Sequence, residues 1–409
     1  MKVYFVNRFY YPDMSATSQM LTGLATGLTP GFNVNVITSR QFHNDPRAEP
    51  ARQEECFGVA IRRLGTTRFG RERLWGRAID YASFYAQVFS FLLFNIRRGD
   101  VVVLMTDPPM LALLNTSAIH LRSGRVVNWL QDVFPEIAAR LGWLPASSWL
   151  FRLLVKWRDR SLKLAAANVV ISPRMAACLA LRGVGNTRII PNWADEQAIA
   201  PVAHENNPLR QEWQLANSFA VIYSGNFGRV HAFGEIIDAV RELATEPGIR
   251  FVFIGEGAEL ESLRRAVQDI PAAQVSFQAP QPRESLAYSL GAADLHLVSL
   301  KTGMEDLVMP SKLHGVLAAG RPVAFVGDPD SDIAAMIRRE NVGFSIPLGD
   351  GAGLANRIRQ LARDSRLQGV YRANARALFL REQTRAQGVA RWRKLLFDVA
   401  ASKATVPGS

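Results

Sequence analysis

Cysteine is almost missing from this chain: Cys56 and Cys178 are the only two among 409 residues. They are too few and too far apart for a disulfide framework or a thiolate metal site, so a reducing cytosol fits best. Histidine is scarce as well, with six residues. His296 and His314 have no second imidazole or carboxylate at ligand spacing and read as packed or surface side chains. No metal ligand set is expected. There is no spanning-length apolar run. The longest, Tyr81 to Ile96, is interrupted by Ser83, Gln87, Ser90 and Asn95, and it falls short of the ~20 residues a transmembrane helix needs. The start, Met1 to Val6, has only four apolar residues in a row before Asn7-Arg8. It lacks the apolar region of a secretory signal and reads as a first strand.

What is present is an ordinary globular composition, 48% hydrophobic and 21% charged, and a length that favours two domains. The formal charge of +12 is uneven: residues 1–200 hold 24 Lys and Arg against 14 Asp and Glu, and the rest hold 24 against 22. A basic first half favours an anionic partner, nucleic acid or a cytoplasmic membrane face. No zinc-finger spacing and no aromatic RNA-binding run supports nucleic acid.

Two segments carry the cations beside apolar residues. Tyr81–Ile96 is flanked by Arg68, Arg71, Arg73 and Arg77 before it and by Arg97-Arg98 after it. Trp149–Leu164 mixes Leu150, Phe151, Leu153, Leu154, Val155 and Trp157 with Arg152, Lys156, Arg158, Arg160 and Lys163. Each fits a helix lying in a membrane interface, and each fits a helix covering a sheet with a solvated basic rim.

Short β-rich runs alternate with helical patterns throughout, at Val3–Val6, Val34–Thr38, Val101–Met105, Val126–Leu130 and Val169–Ser172. The alternation restarts after a polar stretch with Ala220–Ser224, Arg250–Ile254, Val275–Gln278, Asp294–Ser299 and Pro322–Val326. This predicts an α/β protein of two doubly wound, Rossmann-like domains. The first is expected over 1–195, with a returning C-terminal helix over 383–402, and the second over 205–380. Ligands of such sheets bind beyond the carboxyl ends of the strands, so the two are expected to face across a cleft.

Candidate chemistry concentrates in the second half. The strand Val221-Ile222-Tyr223 ends in Ser224-Gly225-Asn226-Phe227-Gly228-Arg229, where glycines permit a turn with amides facing an anion and Arg229 adds charge. The strand Phe251–Ile254 ends in Gly255-Glu256-Gly257, placing a carboxylate at a strand terminus. Singly, each pair also fits a plain strand-to-helix turn. Pro310-Ser311-Lys312 puts a hydroxyl and a cation before the apolar run Leu313 to Ala319. It predicts a helix opening at Pro310, with first-turn amides, Ser311 and Lys312 all aimed at one anion.

The stretch Pro310 to Val323 resembles the donor-site helix of the family-four retaining glycosyltransferases of the GT-B fold. Within that family it is most similar to the subgroup acting in colanic-acid, O-antigen and exopolysaccharide assembly. Ile190 to Asp195, Tyr223 to Asn226, Phe253 to Ala258 and Ala292 to Val298 match in order and spacing. Gln131-Asp132-Val133-Phe134-Pro135-Glu136 and the Tyr11-Pro12 loop match more loosely.

The resemblance implies a metal-independent hexosyltransferase whose nucleotide-sugar is a substrate, with no cofactor. Carried over by position, Ser311 and Lys312 hold the diphosphate beside Gly225, Asn226 and Arg229, and Gly255 and Glu256 lie near the nucleoside. Asp132 stands near the reacting sugar and acceptor, though it also fits a helix N-cap. The catalytic set is thus Asp132, Lys312 and Arg229. The family places two glutamates eight positions apart; here those positions are Leu307 and Gly315. Glu305 and Asp306, just upstream, are expected to take over the sugar hydroxyls, and they also read as a solvated loop pair. The implied acceptor is a polyprenyl-diphosphate-linked saccharide at an anionic membrane surface, and the implied place is cytoplasmic, peripheral on the inner face of the plasma membrane. The alternative is a noncatalytic nucleotide-sugar-binding or membrane-scaffold subunit of the same fold.

Overall fold

The computed structural model describes residues 1–42, 45, 48–69 and 74–402. Arg71, Arg73 and the tail from 403 lie outside the described residues. The chain divides into two compact units, Met1–Pro191 with Leu307–Met309 and the segment from Arg385 onward, and Asn192–Asp306 with Pro310–Thr384.

In the first unit the elements run β1 (Lys2–Val6), α1 (Ala16–Leu28), β2 (Asn33–Ser39), β3 (Gln53–Cys56), β4 (Val59–Leu64), α2 (Leu74–Asn95), β5 (Val101–Met105), α3 (Ala112–Leu121), β6 (Arg125–Trp129), α4 (Glu136–Arg140), α5 (Trp149–Leu164), β7 (Ala167–Val170), α6 (Pro173–Ala180) and β8 (Thr187–Ile189). Among the described residues they build an eight-stranded sheet of order β3-β4-β2-β1-β5-β6-β7-β8. All pairings are parallel except β3 with β4. The central strands are buried on both faces, which explains why Val101 to Met105 reads as an unbroken apolar run. Helix α2 turns Phe84, Val88, Leu92 and the following Ile96 into this core at four-residue intervals. That stripe is a sheet-covering face, and its apolar character is used up in packing. Helix α5 is capped by Ser148, whose hydroxyl accepts from the Phe151 amide at 3.2 Å.

The second unit continues with α7 (Pro208–Glu212), β9 (Phe219–Ser224), α8 (Gly234–Leu243), β10 (Ile249–Ile254), α9 (Leu260–Ala266), β11 (Val275–Gln278), α10 (Leu286–Gly291), β12 (Leu295–Ser299), α11 (Lys312–Ala318), β13 (Val323–Val326), α12 (Asp332–Glu340), β14 (Gly343–Ile346), α13 (Gly351–Arg363) and α14 (Ser365–Glu382). Its six described strands are all parallel, in the order β11-β10-β9-β12-β13-β14. The order reverses between β9 and β12, so a crevice opens where their two following loops leave in opposite directions. Asp294 fastens this centre: its carboxylate meets Arg210 at 3.1 Å, Arg372 at 2.6 Å and the Ala220 amide at 3.0 Å. Both oxygens of the buried carboxylate are thereby hydrogen-bonded, the condition under which a buried ion is tolerated.

The last helix, α15 (Arg385–Ala401), belongs to the first unit. Its Trp392 packs against Phe5 and Trp129, with ring centroids 6.3 and 4.8 Å away.

Candidate donor site

The two glycine turns are one construction. Gly225, directly after β9, has φ +130°, and Gly255, directly after β10, has φ +136°. A Cβ on Gly255 would fall 2.0 Å from the Gly225 carbonyl oxygen, so only glycine allows this backbone contact. The Gly225 amide donates to Ile254 at 2.9 Å, the Phe227 amide to Glu256 at 2.8 Å, and the Glu259 amide back to Phe227 at 2.9 Å. Phe227 is buried beneath the turn, 4.8 Å from Tyr223 and stacked on Phe233 at 5.6 Å. Burying such a ring is worth about 1.5–3 kcal/mol, enough to hold the double turn in one shape.

Lys312 reaches into this turn from α11. A Cβ on Gly225 would lie 3.3 Å from Lys312 Cε and 3.6 Å from Nζ. Nζ sits 3.3 Å from the centre of the Tyr223 ring and is buried with no hydrogen-bond partner, while the rest of the side chain is only half-buried. Burial holds the amine well below its ordinary pKa.

The helix differs from the sequence expectation. It begins at Lys312, two residues beyond Pro310, and spans seven residues. Ser311 is exposed, in a helical conformation, and makes no capping bond. The Leu313 amide is spent on the Pro310 carbonyl at 3.2 Å. The electropositive element is therefore the Lys312 head more than a fan of free amides, because so short a helix sums few peptide dipoles.

His231 was absent from the sequence-derived site. It follows the Gly225 turn by six residues and is buried, with Nδ1 2.6 Å from the Ser299 carbonyl at the end of β12. A carbonyl only accepts, so Nδ1 carries the proton and Nε2 holds the lone pair. Burial, then the cations of Lys312 and Lys301, bring its pKa down to about 4. Lys301 belongs to the same place, since its amide donates to the Val230 carbonyl at 2.9 Å. The signal that could have found it is the loop after β12, which the strand order carries to the turn after β9. Arg229, Asn226 and Glu256 are exposed at this turn, and Arg229 has no ion pair among the described residues.

Glu305 is buried, with Oε2 lacking a partner. Burial first, then Asp328 and Asp306, raise its pKa. The solvated-loop reading of Glu305 therefore fails, because its side chain is buried and the Asp328 carboxylate, after β13, acts on it. Asp328-Pro329-Asp330 is an Asp-x-Asp run beside a strand. Among the described residues it gathers no group of three metal-ligating side chains. Asp306 is half-buried.

The two positions without glutamate are occupied by packing. Leu307 lies in an apolar cluster with Leu130, Val133, Leu162, Val170 and Met175 of the first unit. Gly315 faces Leu290, whose Cδ1 would be 3.1 Å from an added Cβ. A carboxylate in place of Leu307 would be buried among apolar side chains.

Asp132 belongs to the first unit, in the loop after β6. Its backbone bridges Val308, and the Val133 amide donates to the Leu307 carbonyl at 3.0 Å. Oδ1 is buried without a partner. Burial pushes the carboxyl up to about 6, opposed by a hydrogen bond with Thr106 and reinforced by Asp107. No capping bond by its side chain is formed at α4, whose cap position is Pro135. His314 and His296 are buried, bonded to Gln383 at 2.7 Å and to the Leu290 carbonyl at 2.9 Å.

Residues 218–364, nearly all in the second unit, match the family described as Glycosyl transferases group 1. The chain is 29% identical over 327 residues to a "Probable glycosyltransferase WbjE" of Pseudomonas aeruginosa, covering 77% of this chain and 78% of that one. Over 143 residues it is 33% identical to a "Putative colanic acid biosynthesis glycosyl transferase WcaI" of Escherichia coli K12, covering 34% and 35%. Anabaena Alr3699/HepE, solved in complex with UDP-glucose, shares 15% identity at a TM-score of 0.73, covering 97% of this chain and 100% of that one. At that identity the likeness speaks for the fold, two Rossmann-like units of the GT-B type.

Proposed function

We propose that this chain is a glycosyltransferase that moves a hexose from a nucleotide-diphosphate donor to a polyprenyl-diphosphate-linked saccharide in bacterial surface-polysaccharide assembly, a reading that proceeds from the match of residues 218–364 to the family described as Glycosyl transferases group 1. The observation that carries the reading is the buried, unpartnered Lys312 amine against the Gly225 turn, at the strand reversal of the second sheet. A cation taken out of water at such cost is accounted for when a dianion meets it there.

In this reading Lys312, Lys301, Arg229 and the Ser311 hydroxyl neutralise the diphosphate, with the Gly225 and Asn226 turn closing round it. Gly255 and Glu256 flank the nucleoside, and Glu305 and Asp306, with Asp328, receive sugar hydroxyls. The bond between the anomeric carbon and the diphosphate oxygen breaks as charge builds on the leaving group, which is where fixed cations lower the barrier. The acceptor oxygen bonds to that carbon from the same face, giving retention, and its proton passes to the departing phosphate oxygen. Asp132 orients the acceptor hydroxyl. Side-chain cations supply the charge a divalent ion would otherwise bring, so the reaction proceeds without metal. The relatives named for glycosyl transfer, one in colanic acid biosynthesis, support the polysaccharide setting. Among the described residues no helix is long and apolar enough to cross a membrane; in this reading the enzyme works as a peripheral protein on the cytoplasmic face of the plasma membrane.

The test is a thermal-shift screen of UDP-, GDP- and TDP-sugars, followed by transfer to a polyprenyl-diphosphate sugar with and without EDTA, with the product anomer read by NMR. A donor that stabilises the protein and is transferred with retained configuration in EDTA is the expected result. Stabilisation with no transfer to any lipid-linked acceptor would return the chain to the noncatalytic binding alternative.

A further inference from the structure

Helices α3 and α5 leave an open groove of about 800 Å³ on the first unit, floored by Leu113, Thr116 and Ser161. Its walls are apolar and uncovered: Leu114 is 57% exposed and Leu121 71%, facing Trp157 at 50% and Leu164 at 39%. On α5, Leu150, Trp157 and Leu164 recur every seven residues, so they form one stripe that drifts only slightly round the helix. A soluble surface seldom leaves so many large apolar side chains together without a partner for them.

The neighbouring arc of α5 says what kind of partner. Arg152, Lys156, Arg160 and Lys163 follow at intervals of four, four and three, all exposed, and none has an ion pair among the described residues. They line a second groove, and Arg160 and Leu164 belong to both. The sole carboxylate of that second groove, Asp159, is already bound to Arg158 at 2.7 Å. An apolar trough bordered by unneutralised cations matches hydrocarbon next to phosphate. A second copy of this chain would bring the same four cations to the contact, which opposes self-association.

We propose that the α3–α5 groove is the membrane-docking face of this protein, seating on an anionic phospholipid bilayer with a hydrocarbon chain between Leu121, Trp157 and Leu164 and lipid phosphates on Lys156, Arg160 and Lys163. The groove, and not the α2 face whose apolar stripe is consumed by the sheet, is the part of the basic first half that meets lipid. This rests on reading the acceptor as lipid-linked, yet it is tested without donor or acceptor, so its failure leaves the transferase assignment standing.

The experiment is flotation of the full chain with phosphatidylglycerol–phosphatidylcholine vesicles and with phosphatidylcholine alone, alongside tryptophan quenching by brominated lipid. The wild type binds the anionic vesicles. Each cation near the surface contributes about fivefold, so Lys156→Gln, Arg160→Gln and Lys163→Gln together lower the partition coefficient roughly 100-fold. Trp157→Ser with Leu121→Ser lowers it at unchanged charge, and Trp157→Leu retains binding but loses the part of the quenching that Trp157 contributes. Unfolding midpoints equal to wild type show that these surface changes leave the fold intact. The proposal is overturned by wild-type chain that stays with the buffer, or by apolar variants that float like wild type, which would make the attraction electrostatic only. Sedimentation showing a dimer that Leu121→Ser dissolves would overturn it too.

Discussion

Lys312→Met keeps the length of the side chain and removes its ammonium, and it separates a ligand-binding lysine from a structural one. The buried Nζ has no hydrogen-bond partner and lies 3.3 Å from the Tyr223 ring centre. An unsatisfied buried donor costs about 1–3 kcal/mol, and a cation–π contact returns about 0.5–2 kcal/mol. The variant is therefore expected to lie between about 1 kcal/mol less stable and about 2.5 kcal/mol more stable than wild type. The pH dependence has a definite sign. Burial lowers this pKa in the folded state, so the penalty is complete at pH below the folded value and fades as pH rises toward the unfolded value. The stability gain of Lys312→Met is accordingly larger at pH 6 than at pH 10. Donor binding moves the other way: a charge-assisted bond to phosphate is worth about 1.5–3 kcal/mol, so nucleoside-diphosphate affinity falls roughly 10- to 150-fold. Chemical denaturation across pH, paired with calorimetry against UDP, GDP and TDP, measures both. Unchanged affinity for the nucleotide that wild type binds would refute the diphosphate assignment. So would a marked loss of stability, which would make Lys312 a packing residue.

Three further outcomes follow from the geometry. A diphosphate beside Lys312 and Lys301 cancels the cations that help to hold His231 near 4, so its pKa rises on binding. Affinity then weakens as pH rises through the bound value, and the proton uptake seen by calorimetry in buffers of differing ionisation enthalpy shrinks in His231→Gln. Asp132 is raised from 3.8 to about 6 in the folded chain, so its ionised form costs up to about 3 kcal/mol above pH 6. Asp132→Asn is expected to gain up to that much at pH 8 and little at pH 4 while transfer is lost; a variant stabilised equally at both would contradict the assigned cause. Gly255→Ala forces a Cβ to 2.0 Å from the Gly225 oxygen at φ +136°, which is expected to cost about 2–4 kcal/mol. Nucleotide binding is lost while circular dichroism stays native, and retained binding would show that the double turn is not part of the site.

The strands most readable in the sequence are those buried on both faces. Val101 to Met105 falls where its apolar run places it, because a parallel strand between two helix layers has no polar face to disguise it. The polar edge strands Gln53–Cys56 and Thr187–Ile189 were missed, since their exposed side chains blur the pattern. The Pro310 segment was legible as a cation at a helix start, but its helix begins later, with Ser311 uncapped and one amide already used.

By itself the sequence determined the chemistry available: two Rossmann-like halves, glycines at the ends of β9 and β10, a lysine before an apolar helix, and a basic first half. Those are local properties of composition, period and turn residues. Only the tertiary structure decided which of them meet. Strand order put the loop after β12, with Lys301, against the turn that carries His231, residues 70 apart in the chain. It put Lys312 on Tyr223 from 89 residues away, and it filled the two expected glutamate positions with the packing of Leu307 and Gly315. Burial likewise sorted the two amphipathic segments, sending the apolar stripe of α2 into the sheet and leaving that of α5 open beside its cations. Contacts of that kind depend on the order in which strands add to a sheet, which no local window of sequence contains.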